Sequence, residues 1–200
     1  YHYAGNSPVK LVDPDGKDIA IFLDREGANT LGHVAVAIFH MSEDGNLDGI
    51  TYFSFQPEDG GKPKMLTFQN KEAFYDFLSK SKYGDMRPNT PEHKRGSGAG
   101  YNYDDVIAIK TTPEQDELML GKIDELYGMI GKTGKEYAMF SRNCKHAASL
   151  VLKQGGIKAP KDMFPINWFT TLKGMKHDRN VDLQNEIQQV LNSTNEHIKK

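Results

Sequence analysis

Gly32-His33-Val34-Ala35-Val36-Ala37-Ile38-Phe39 is an unbroken apolar run that opens on a glycine and a histidine. Branched side chains at this density read as a strand, with the histidine at its start. A second such run, Ile50-Thr51-Tyr52-Phe53-Ser54-Phe55-Gln56, follows after Glu43-Asp44-Gly45-Asn46. The two are predicted to form a hairpin. If Asp44-Gly45 is a two-residue turn, His33 opposes Gln56, Ala35 opposes Ser54 and Ala37 opposes Tyr52. A turn at Asp48-Gly49 would instead carry Gln56 away from His33.

Upstream, Ile19-Ala20-Ile21-Phe22-Leu23 reads as a short buried strand followed by a polar break from Asp24 to Asn29. Downstream, Lys71 to Ser81 reads as a helix with Phe74, Phe77 and Leu78 on one side. Tyr83 to Gly100 reads as a loop, and Tyr103 to Lys110 as another strand. Thr112-Pro113-Glu114-Gln115 then supplies an N-cap, a proline at the first helical position and a capping-box glutamine. The helix that must follow carries Met119, Ile123, Leu126, Tyr127 and Ile130 as its apolar stripe and stops at Gly131 to Gly134. Near the end, a proline-rich segment from Ala159 to Pro165 leads to Trp168, Phe169 and Leu172, expected to cover the core, and Val181 to Lys199 forms a polar helix. The predicted class is α+β, an antiparallel sheet packed against helices.

The chain has 200 residues, 38% hydrophobic and 26% charged, an ordinary globular composition with room for one well-packed domain. Its net charge of −2 gives no electrostatic reason to seek nucleic acid or an anionic membrane. No apolar run is long enough to span a bilayer, and no charged-then-apolar stretch at the amino terminus reads as a signal. One cysteine forbids an internal disulfide. His33, His40, His93 and His146 lack the paired spacing of a zinc site, and Gly96-Ser97-Gly98-Ala99-Gly100 lacks the lysine of a phosphate-binding loop. No cofactor is expected. Tyr101, Tyr103, Trp168 and Phe169 read as core packing in preference to the lining of an apolar groove.

That lone cysteine, Cys144, lies in Ser141-Arg142-Asn143-Cys144-Lys145-His146-Ala147-Ala148-Ser149-Leu150-Val151-Leu152. Cys144, Ala147, Ala148, Val151 and Leu152 share one helical face, with Gly155-Gly156 as the stop. The thiol therefore falls in the first turn of a helix, where unpaired N–H groups and the positive end of the dipole favour thiolate. With His33 as its base, this is the arrangement of a Cys/His hydrolase. The competing expectation is a non-enzymatic binding module in which Cys144 fills core space. His40 lies seven residues along the strand from His33, about 23 Å away and on the opposite face. It reads as a surface histidine. His146 points about 200° around the helix from Cys144, which argues against direct base chemistry.

Two resemblances sharpen these expectations. Tyr1-His2-Tyr3-Ala4-Gly5-Asn6-Ser7-Pro8, running into Asp13-Pro14-Asp15-Gly16, resembles the end of the core of Rhs-repeat (YD-repeat) proteins. In that family an Asp-Pro-x-Gly motif separates a delivery shell from a variable carboxy-terminal toxin. The resemblance implies that residues 1–17 end an Rhs-repeat core with its cleavage junction. It further implies that residues 18–200 form a secreted toxin domain delivered into a target cell and neutralised by a cognate immunity protein. Gly32-His33 on an early strand and Asn143-Cys144 opening a later helix resemble the circularly permuted papain-like group, which includes lecithin retinol acyltransferase-like proteins and relatives of NlpC-type peptidases.

That second resemblance implies a cysteine hydrolase or acyltransferase. His33 takes the thiol proton, Cys144 attacks a carbonyl carbon, and the acyl-enzyme passes to water or another acceptor. The acyltransferase-like members usually carry a second histidine on the partner strand, and this chain has none between Met41 and His93. Gln56 or Ser54 then has to take the orienting role, and Gln56 is expected to fix the imidazole tautomer through a ring N–H contact, with Ser54 in support. The oxyanion is expected on the Cys144 backbone N–H, with support from Asn143. Peptidoglycan peptides, protein isopeptides and lipid acyl esters all remain open as substrates.

Overall fold

The computed structural model describes residues 18–27, 31–41, 46–55, 63–83, 103–129 and 143–198. Five strands, β1 (Asp18–Asp24), β2 (His33–Met41), β3 (Leu47–Phe55), β4 (Pro63–Phe68) and β5 (Asp105–Lys110), form one antiparallel sheet in the order β4-β3-β2-β1-β5. Five helices accompany it: α1 (Lys71–Tyr83), α2 (Pro113–Met129), α3 (Cys144–Gln154), α4 (Pro165–Gly174) and α5 (Val181–Ile198). The fold is α+β, as its pattern of periods predicts.

Every residue of β1 is buried because the strand lies inside the sheet and both faces are covered. Alternation divides its side chains between two cores. Ile19, Ile21 and Leu23 join Val34, Val36, Ile38, Ile107 and Ile109 against α2, α3 and α4. Ala20 and Phe22 join Ala35, Ala37, Phe39, Ile50, Tyr52 and Tyr103 against Phe74 and Leu78 of α1 and Leu183, Ile187 and Leu191 of α5. The layers are therefore helices, sheet, helices.

The hairpin register is the one expected: Ala35 pairs with Ser54 and Ala37 with Tyr52, with an irregularity at His40/Met41. The turn residues themselves, Glu43 to Gly45, lie outside the described residues. So do residues 1–17, Gln56, the segment Gly84 to Gly100 with His93, Tyr101, and Ile130 to Gly134.

Two contacts aim α3. At its carboxy end, a Cβ on Gly155 would come within 2.7 Å of Met119 Cγ, so only glycine lets α2 approach this closely, and Gln115 Nε2 donates to the Gly155 carbonyl over 2.7 Å. At its start, Asn143 has extended backbone and its Oδ1 accepts the His146 N–H over 2.9 Å. The capping box of α2 also forms reciprocally. Gln115 N–H donates to Thr112 Oγ1, and Thr112 N–H donates to Gln115 Oε1.

Three elements depart from expectation. β4 and α4 are additional, and α5 is more than a polar helix because Leu183, Ile187 and Leu191 are buried at four-residue spacing. Tyr127 leaves the apolar stripe of α2 and stands 46% exposed.

Candidate active site

α3 meets the sheet at the start of β2, where the β2–β3 ladder has not yet begun; its first paired rung is Ala35–Ser54. Gly32 makes this junction possible. Its φ of +87° suits glycine, and a Cβ there would lie 2.5 Å from Ile166 Cγ1, so α4 rests on bare backbone. The Gly32 N–H donates to the Gly27 carbonyl over 3.0 Å and closes the loop between β1 and β2.

Cys144 is 1% exposed, within the core shared with Val34, Val36 and Val151. Burial pushes its thiol up to about 11, opposed by the backbone N–H groups of Val34, Lys145 and Cys144 itself and by the Lys145 charge. The opposing set is the one expected at a helix start, plus one donor from β2, but burial outweighs it, so the thiolate-favouring site expected from the sequence is overturned in this structure. Lys145 turns away, donating its Nζ to the Asp162 carbonyl.

His33 is fully buried, and desolvation pushes its imidazole down to about 3. Its Nε2 lies 2.8 Å from Ser54 Oγ, so Ser54 is on the imidazole, while Gln56, the residue expected to fix the tautomer, lies outside the described residues. Strand alternation directs His33 to the Ala35 side of β2, while Cys144 packs on the Val34 side. Thiol and imidazole thus flank a single peptide unit, His33–Val34, from its two sides.

The imidazole side carries further polar groups. Tyr52 Oη and Tyr103 Oη share a short hydrogen bond. Burial pushes the Tyr52 phenol up to about 12, with the Asp24 charge adding to the rise and hydrogen bonds from Tyr103 and Ser54 opposing it. Asp24, 5% exposed, is the β1 residue directly across from His33. Nothing in the sequence alone marks it, because its relation to His33 depends on the β1–β2 register.

His40 departs from the surface position expected of it, while His146 is exposed as its place on the helix allows. His40 is half-buried at the far end of β2 with Nε2 2.8 Å from Thr51 Oγ1, and His146 stands exposed on α3. Tyr103, Trp168 and Phe169 are core residues. Among the described residues, no helix is long and apolar enough to cross a membrane. Comparison of the chain with protein-family models, with curated proteins and with solved structures returns no match.

Proposed function

We propose that the chain is the toxin domain of an Rhs-type secreted protein, acting as a papain-like cysteine hydrolase or acyltransferase on an amide or ester through Cys144 and His33. One observation carries this: the only cysteine opens an asparagine-capped helix, and its sulfur meets the N–H of Val34, the residue after His33. Nucleophile and amide donors thereby meet at the Val34 N–H of β2, with the base one residue away on the other side of the strand.

The chemistry balances in two steps. His33 accepts the thiol proton as the sulfur bonds to the carbonyl carbon, and the oxyanion draws on the N–H groups at the start of α3. Collapse expels an amine or alcohol, which takes that proton from the imidazolium. Water or another acceptor then cleaves the thioester. Proton transfer requires the imidazole to swing from the Ser54 side toward the thiol, a rotation at the first residue of β2. An immunity protein and delivery into a target cell accompany this proposal through the Rhs resemblance.

A binding module with Cys144 as a core residue is the second reading, favoured by the burial of both groups and by the attachment of Nε2 to Ser54. Growth of a bacterial host expressing the chain in the cytoplasm or exported to the periplasm separates the two. Killing abolished by both Cys144→Ala and His33→Ala is the expected result, with periplasm-only killing pointing to cell-wall peptides and cytoplasmic killing to protein or lipid. Undiminished killing by both variants overturns the catalytic proposal.

A further inference from the structure

A thiolate–imidazolium pair in this site needs an offset for its buried positive charge, because desolvation alone strongly favours neutral imidazole. Among the acids at this end of the described sheet, Asp24 is the one paired directly with His33. Asp24 and His33 are direct cross-strand partners on the same face of the sheet, where opposed Cβ atoms stand about 5 Å apart. Both are buried.

The loop after β1 fixes the carboxylate there. Asp24 Oδ1 accepts the N–H groups of Glu26 and Gly27, each over 2.9 Å, and this turn folds Gly27 back over the pair. A Cβ on Gly27 would meet His33 Cβ at 2.7 Å and Asp24 Oδ2 at 3.1 Å. The second carboxylate oxygen and the base of the imidazole side chain therefore border the same small space, which glycine alone leaves open. Asp24 also influences Tyr52, the residue two before Ser54 on β3.

We infer that Asp24 is a positioning residue for His33: its carboxylate, held by the turn at Glu26 and Gly27, faces the imidazole from the paired strand and makes it more basic than burial alone would leave it, in support of its role toward Cys144. This rests on the Cys144 chemistry proposed above, and it extends the site to a strand that no motif pointed to. Tyr52 on β3, Tyr103 before β5, Cys144 and Lys145 on α3, Arg25 and Glu26 after β1, and Asp104 and Asp105 at the start of β5, the last paired with Arg25 and Lys173, are the other titratable groups that the described elements bring to this end of the sheet.

The test reads the imidazole itself. In the full chain labelled with 15N-histidine, the ring signals of His33 are followed through a pH titration in the parent, Asp24→Asn and Asp24→Glu. Asparagine retains an oxygen for the turn and removes the charge. The expected result is a titration midpoint about one pH unit lower in Asp24→Asn, a tenfold change in basicity, with Asp24→Glu restoring most of it. Cys144 alkylation at neutral pH falls by about the same factor. An unchanged midpoint in folded Asp24→Asn overturns the inference. Should that variant fail to fold, Asp24→Ser keeps a turn acceptor and answers the same question. Because the midpoint does not depend on turnover, its failure is distinguishable from a failure of Cys144 catalysis, which Cys144→Ala reports separately.

Discussion

The two sides of the sheet use burial to opposite ends. On the α3 side, Cys144 sits among valine, isoleucine, Trp168 and Phe169, and burial holds the thiol protonated. On the α5 side, His33 sits with Ser54, Asp24 and the Tyr52–Tyr103 pair beneath aromatic packing, and burial holds the imidazole unprotonated. Each environment favours the neutral form of its own group. An ion pair between them forms only if the two charges, with the nearby amides and carboxylate, stabilise each other, so the pair is best tested as a unit.

The largest expected effect comes from breaking one side alone. Trp168→Ala removes the bulkiest fully buried side chain from the thiol side and should cost about 3–5 kcal/mol in urea unfolding. Phe74→Ala on the other side should cost a similar amount, yet only the tryptophan variant should open Cys144 to alkylation. Equal labelling of the two variants would show that the cores are not independent.

Next comes pH. The folded imidazole titrates near 3, below the ordinary 6.5, so the unfolded chain binds the extra proton between those values. Stability from this group is complete above pH 6.5 and is lost toward pH 3, at up to about 1.4 kcal/mol per pH unit. The thiol acts at the other limit. Its folded value near 11 exceeds the ordinary 9.0, so stability falls as pH rises from 9.0 toward 11. Denaturation midpoints across pH should lose the acid slope in His33→Asn and the alkaline slope in Cys144→Ala, and a change in the other slope in either variant would reveal the coupling of the pair.

Smaller effects probe the junction between the sides. Gly32→Ala forces a side chain into a positive-φ position against Ile166 and should lower stability by about 1–3 kcal/mol in thermal melts. Asn143→Ala removes the cap of α3 and should cost about 1 kcal/mol. A loss of Cys144-dependent activity larger than that stability change would mark Asn143 as an oxyanion partner in addition to a cap.

Much of this architecture was legible in local pattern. The hairpin register followed from one assumed turn, the buried face of α3 followed from its 3.6-residue period, and the α2 capping box formed as its four residues specify. β4 was not legible because an edge strand tolerates Pro63 and Lys64 and shows no clear alternation. α4 was obscured by Phe169, Thr170 and Thr171, weak helix formers that its packing on the sheet overrides. Within the site, Cys144, His33 and Asn143 stood out by type and position, and Ser54 by register. Asp24 did not, because a strand-end aspartate resembles any turn former until the β1–β2 pairing is known.

The most direct test of the central claim is the rate of iodoacetamide reaction at Cys144, followed by intact mass across pH in the parent chain and in His33→Ala. Catalytic pairing predicts appreciable alkylation at neutral pH that falls at least tenfold in the variant. A thiol that stays protected at neutral pH and behaves identically with or without His33 would contradict the claim and leave Cys144 a core residue.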